Sequence, residues 1–259
     1  MRFQCLSSAL LFIILPQALF SGSAKAPERS KHGMVVSSHY LASAVGVNVL
    51  KMGGNAVDAA VATGLALAVV HPAGGNIGGG GFMIVHTSKG EVTAFDFREK
   101  APLGARESMY IDSNGRYIED LDHEGYLSIG VPGTVAGFDL ALRRFGTRTW
   151  KELAAPSVTL AEDGFKLSWD MAGDFKALEK DFKQYPSSFK VFFKRDSSAF
   201  GPGETWKQPD LARTLKRIQQ NGRDGFYKGE TARKIAEDMK KNGGLITESD
   251  LAAYEAKER

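Results

Sequence analysis

The chain has 259 residues, 43% of them hydrophobic and 24% charged, which is enough apolar material for a packed core and excludes an intrinsically disordered chain. Its 33 basic and 30 acidic side chains leave a formal charge of +3, and no Lys/Arg-rich block concentrates it, so a nucleic-acid partner is not expected.

Residues 1–24 read as a secretory signal peptide. Arg2 supplies the positive start, Ala9 to Phe20 the apolar stretch, and Gly22, Ser23 and Ala24 a small-residue cleavage site. A transmembrane helix is the alternative, but Pro16 and Gln17 interrupt an apolar run shorter than the about 20 residues a span requires. The mature chain, residues 25–259, is then periplasmic or secreted, with no membrane span. Cleavage also removes Cys5, the sole cysteine, which excludes disulfides, thiol catalysis and iron–sulfur ligation. His32, His39, His71, His86 and His123 show neither H-x-x-x-H nor H-E-x-x-H spacing. Each is read as a surface or hydrogen-bonded histidine, and neither a metal nor another cofactor is expected.

In chain order, Gly33 to Val36 predicts a short first strand, and Ser37 or Ser38 an N-cap. A helix follows over His39 to Met52, with Leu41, Val45, Val49 and Met52 on one face and Gly53-Gly54 as its stop. Asn55 opens a second helix, Ala56 to Val70, that is small and apolar around nearly its whole circumference and so belongs in the middle of the fold. Asp58, three residues after Asn55, is read as part of the cap, with a catalytic carboxylate as the alternative. The His71-Pro72 pair ends the helix.

Four consecutive glycines, Gly78 to Gly81, then precede a predicted hairpin: strands Phe82 to Thr87 and Glu91 to Phe97 joined by Ser88, Lys89 and Gly90. A glycine run can adopt positive φ or let another group approach the backbone closely. It is not a phosphate cradle. No G-x-G-x-x-G fits between Gly74 and Gly81, no Gly-Lys-Ser/Thr follows, and the order helix, glycines, strand reverses the dinucleotide-binding order. The expected role of Gly78 to Gly81 is packing beneath a substrate pocket, directly before a buried strand. Arg98 stands at the hairpin's exit, either as an anion-binding guanidinium or as a structural partner of Asp96 or Glu99.

Met109 to Leu127 is polar and predicts a surface excursion turning at Asn114-Gly115. Ser128 to Gly137 is a second glycine-rich turn, with Thr134 placed to cap a helix that runs to Phe145 and closes at Gly146. Thr149 and Glu152 form a capping box for a further helix that contains Pro156 and ends at Gly164. Helices follow over Ser168 to Gln184, Pro209 to Asn221, Gly229 to Asn242 and Thr247 to Ala256, separated by polar and aromatic loops. The fold class read from these elements is α+β with a mostly helical C-terminal half, and no repeat or linker divides residues 25–259.

The stretches GGNAVDAAVAT (53–63), HPAGGNIGGGGFMIVHT (71–87), DFREKAP (96–102), GVPGTVAGFDLAL (130–142), FYKGETARKIAEDM (226–239) and NGGLITESDLAAY (242–254) resemble the large subunit of the γ-glutamyltranspeptidases, also called glutathione hydrolases, of the bacterial type. The related cephalosporin acylases match less closely. The resemblance implies an N-terminal-nucleophile (Ntn) hydrolase with αββα layering, made as a proenzyme that cleaves itself into two subunits. It implies that the threonine heading the small subunit is the nucleophile, its own α-amine the base, and a Gly-Gly pair the source of the oxyanion donors. Partners so implied are glutathione and other γ-glutamyl compounds, amino-acid or dipeptide acceptors, and the small subunit.

By the same resemblance Arg98 binds the α-carboxylate of the γ-glutamyl group, for which a planar guanidinium is suited. None of the threonines from Thr63 to Thr247 stands in a Thr-Thr-His-like processing context, so no catalytic residue is expected in this chain. The chain is expected to be a partial large-subunit domain, inactive alone. A truncated, non-catalytic paralogue that binds γ-glutamyl compounds or a partner subunit is the alternative.

Overall fold

At the centre lies the helix that the sequence makes apolar around nearly its whole circumference. The computed structural model describes residues 26–259, so the predicted signal peptide lies outside the described residues. Residues 26–32 form no helix or strand and are exposed, whereas Gly33–Arg259 form one compact unit.

Helix α1 (Tyr40–Lys51) and helix α2 (Ala56–Val70) pack against each other. Val61, Ala62, Leu65, Ala66, Val69 and Val70 of α2 are each 0% exposed, as a helix apolar around most of its circumference requires. Its cap is the predicted one: Asn55 Oδ1 accepts the Val57 and Asp58 amides, and the Asp58 carboxylate accepts the Asn55 amide. The start of α1 differs from expectation. His39 is the N-cap, its Nδ1 accepting the Leu41 amide at 3.3 Å, while the Ser37 hydroxyl donates to the His39 carbonyl and pairs with Ser43 instead. Met52, assigned to the buried face, is exposed. Nor do Gly33 to Val36 form a strand: among the described residues no strand lies beside them to complete a ladder, and only Val35 turns toward the core.

Strands β1 (Phe82–His86) and β2 (Val92–Asp96) form the predicted hairpin, with Met83 opposite Phe95 and Val85 opposite Thr93. That face packs inward. Phe95 is fully buried and meets Phe145 edge-on, and Phe97 meets Phe138 in the same way. Both partner rings sit on helix α3 (Thr134–Phe145), which covers β2 and contacts α2. The opposite face is open: Phe82, Ile84 and Val92 are 61%, 74% and 66% exposed, so β1 is not the buried strand expected after the glycines. Thr134 is the first residue of α3 and not its cap, because its hydroxyl is turned to Asn76 Oδ1 at 2.6 Å.

Helix α4 (Trp150–Asp163) begins at the Thr149/Glu152 capping box, continues past Pro156 and stops at Gly164. It packs against α2. The expected helix from Ser168 to Gln184 is instead two, α5 (Trp169–Ala177) and α6 (Glu179–Lys183), because Leu178 leaves helical geometry at ψ 8°. A further helix α7 (Pro186–Phe192) follows a proline at its first turn. These short helices wrap Trp206, which is 0% exposed and contacts the rings of Phe165, Phe175 and Phe192. What composition presents as aromatic loops is part of the one packed core, tied by the two-stranded pairing of β3 (Phe165–Lys166) with β4 (Thr205–Trp206).

Helix α8 (Pro209–Asn221) packs on α4 and on the short α9 (Asp224–Tyr227), which leads into α10 (Gly229–Lys241) and α11 (Glu248–Ala253). The Thr247/Asp250 capping box of α11 is the predicted one. The chain then returns to the sheet, where β5 (Lys257–Glu258) pairs antiparallel with β2.

Candidate functional site

The loop after β2 carries Arg98, and the glycine run fixes where that loop lies. Phe97 exchanges both backbone hydrogen bonds with Gly81, at 3.0 and 3.3 Å, and Lys100 exchanges both with Val131, at 2.7 and 3.2 Å. The Gly79 carbonyl accepts the Gly133 and Thr134 amides at the start of α3, so the run closes that helix's first turn. Asn76 Oδ1 accepts both the Gly79 amide and the Thr134 hydroxyl, a bridge that sequence reasoning missed although an asparagine before glycines is a turn signal.

The glycines serve close approach and not unusual dihedrals, for none of Gly78 to Gly81 has positive φ. A Cβ on Gly80 would lie 2.5 Å from the Phe97 carbonyl oxygen and 2.8 Å from the Glu99 nitrogen, whereas one on Gly78 would meet nothing within 4 Å. Backbone cannot rotate away as a side chain can. Gly80→Ala is therefore expected to cost about 1–3 kcal/mol and Gly78→Ala less than about 0.5 kcal/mol, read as thermal unfolding midpoints. Equal midpoints for the two variants would show that this packing does not constrain the loop.

Arg98 projects outward, its side chain 64% exposed. Its amide donates to Asp96 Oδ1 at 3.1 Å, its Nε donates to Glu99 Oε2 at 3.3 Å, and its guanidinium carbon lies 5.9 Å from the Phe82 ring centroid. The terminal Nη groups have no hydrogen-bond partner among the described residues. Asp96 is not the ion-pair partner, because Arg259 holds its carboxylate at 2.7 Å. The Arg98 amide and the Arg259 side chain keep the Asp96 carboxyl below its ordinary range, so it is ionised at neutral pH. Arg98 thus offers two free nitrogens on an open surface beside the exposed sheet face, and it lines neither of the cavities of ≈670 and ≈320 Å³.

The other candidates are structural. Asp58 is 0% exposed, with both oxygens committed to the cap and to Thr147 and Arg148, and no approach is left for a substrate. His39 and His71 are helix caps, His86 lies on the exposed side of β1, His123 is 3.5 Å from Asp122, and His32 is exposed. Among the described residues no group of three or more His, Cys, Asp or Glu side chains is placed to hold a metal ion.

The γ-glutamyltranspeptidase family model matches residues 42–259. A glutathione hydrolase proenzyme of Pseudomonas sp. (strain A14) is 48% identical over 260 residues, covering 100% of this chain and 45% of that protein. The proenzyme of Escherichia coli (strain K12) is 47% identical over 233 residues, 90% of this chain and 40% of its own length. The chain therefore spans less than half of the curated relatives it matches. Among solved structures, Helicobacter pylori γ-glutamyltranspeptidase superposes with a TM-score of 0.87 at 49% identity, covering 90% of this chain and 67% of that one. A cephalosporin acylase from Bacillus halodurans superposes at 0.81 with 30% identity, covering 95% of this chain and 46% of that one.

Proposed function

Because the chain belongs to the γ-glutamyltranspeptidase family, we propose that it is the donor-recognising part of a glutathione hydrolase, with Arg98 gripping the α-carboxylate of the γ-glutamyl group. One observation supports this reading: an arginine that directly follows a residue held by the glycine run, and whose two terminal nitrogens have no hydrogen-bond partner among the described residues. A carboxylate accepts two parallel N–H bonds from such a fork, which sets the direction in which the γ-carbonyl extends.

The nucleophile is proposed to stand on the part of the proenzyme relatives that this chain does not span. A threonine heading a newly made chain end has a free α-amine at fixed range to take its hydroxyl proton. Oγ then bonds to the γ-carbonyl carbon, the amide C–N bond breaks, and the departing amine takes up the proton. Water, or the amine of an amino acid or dipeptide, releases the γ-glutamyl group from the ester.

The remainder of the proenzyme is also the proposed cover for the apolar outer face of the sheet. Phe82, Ile84 and Val92 line that face, and a second sheet laid on it would complete the αββα layering of an Ntn hydrolase. Export through the predicted signal peptide, residues 1–24, is part of the same reading. No helix among the described residues is long and apolar enough to cross a membrane.

The test is expression of the full proenzyme that carries this chain. Self-cleavage into two subunits on a denaturing gel, together with amine release from a chromogenic γ-glutamyl anilide but not from its α-linked isomer, is the expected result. A cleaved enzyme that ignores the γ-glutamyl compound would overturn the reading.

A further inference from the structure

The loop that carries Arg98 is tethered from beyond the hairpin and the glycine turns at Lys100, whose ammonium donates to the Glu255 carbonyl at 2.8 Å, and at the Arg98 peptide itself. Tyr254 follows α11, is 2% exposed, and donates its hydroxyl to the Arg98 carbonyl at 2.7 Å across 156 residues of sequence. On either side the backbone is already fixed, at Phe97 by Gly81 and at Lys100 by Val131. The Arg98 peptide lies between those two ladders, and the Tyr254 hydroxyl closes the gap.

The tyrosine is itself immobilised. Its ring stacks on Tyr227 at 5.8 Å between centroids and 12° between planes, and Tyr227 donates its hydroxyl to the Pro132 carbonyl at 2.8 Å. Arg223 holds the Tyr254 carbonyl at 2.6 Å, and the Lys100 ammonium lies 4.8 Å from the ring centroid. Gly133 leaves the hydroxyl its space, for a Cβ there would stand 2.1 Å from that oxygen. Burial, with Asp96 and Glu99 nearby, pushes the Tyr254 phenol up to about 12, so it remains a donor at any working pH.

We infer that Tyr254 is a positioning residue for donor recognition, acting through the Arg98 backbone and not by touching substrate. The inference rests on the reading of Arg98 as the carboxylate grip. With 64% of its side chain exposed, and Glu99 and the Phe82 ring as its side-chain contacts among the described residues, Arg98 depends for its aim on the peptide that bears it.

The experiment is Tyr254→Phe in the full, self-cleaved enzyme, which keeps the ring stack and removes one hydroxyl. KM for a γ-glutamyl donor, measured as hydrolysis, is expected to rise about three- to tenfold, the size of one hydrogen bond. The maximal rate is expected to hold within about twofold, since the lost interaction bears equally on ground and transition states. In an Arg98→Ala background the same change is expected to add nothing, as for two residues acting through one contact.

If Arg98→Ala raises KM while Tyr254→Phe leaves it unchanged, or if the two effects multiply, the positioning role fails and the reading of Arg98 stands. If Arg98→Ala itself leaves KM unchanged, both fall. A lower melting temperature with unaltered KM would make Tyr254 a stability residue only and overturn the inference.

Discussion

Arg98→Ala in the complete enzyme is expected to lower kcat/KM for γ-glutamyl donors about ten- to a hundredfold. Hydrogen bonds to a charged group contribute about 1.5–3 kcal/mol, and each 1.4 kcal/mol is roughly tenfold. The side chain is 64% exposed and its pairing with Glu99 lies at the surface, so the melting temperature should not move. That separation of activity from stability makes the variant informative. Lysine at the same position should restore only part of the loss, because an ammonium is a point charge and cannot present two parallel donors. The sharper measurement compares a donor with its α-methyl ester. The parent enzyme should discriminate between them strongly, and Arg98→Ala should not. Undiminished discrimination in the alanine variant would place the carboxylate somewhere other than Arg98.

What the sequence reveals unaided is what is decided within a few residues. The capping boxes at Asn55/Asp58, Thr149/Glu152 and Thr247/Asp250 each join neighbours in the chain and stand where their residue types place them. The burial of α2 follows likewise from its composition. Features that depend on distant partners are not legible in this way. The ring cluster around Trp206 gathers residues from Phe165 to Phe192, and β5 reaches β2 from more than 150 residues away, Lys257 facing Asp96. Local choices between near-equal candidates also escape: His39 caps α1 because Ser37 is occupied with Ser43. Arg98 is a third kind of case. Its residue type fits a carboxylate, but its neighbours Asp96 and Glu99 made an internal ion pair equally plausible, and the choice came from family resemblance. The geometry pairs its Nε with Glu99 and gives Asp96 to Arg259, leaving its two Nη groups without a hydrogen-bond partner among the described residues.

Asp58→Asn should be the most destabilising conservative change in the fold, by about 2–4 kcal/mol. The carboxylate faces donors only: the Asn55 amide at 2.8 Å, the Thr147 amide at 2.9 Å, the Arg148 amide at 3.1 Å and the Thr147 hydroxyl at 2.6 Å. An amide there would keep one accepting oxygen, and in either orientation at least one of its N–H groups would point at a backbone N–H in a position that is 0% exposed, with only the Thr147 hydroxyl able to turn and accept the other. For a unit of this size the melting temperature should fall by roughly 5–15 °C. The effect should also depend on pH in a fixed direction. Burial alone pushes the Asp58 carboxyl up, but the hydrogen bonds from Thr147, Asn55 and Arg148 together outweigh it and hold the group below its ordinary value. A carboxyl depressed in the folded state adds stability that is complete above its unfolded value, about 3.9, and is lost as pH falls through the folded value. The gap in melting temperature between the parent and Asp58→Asn should therefore be constant from about pH 8 to 5.5 and should narrow below about pH 4. A gap that stayed constant into acid would mean that the packing of the side chain, and not its charge, ties α2 to the turn before α4.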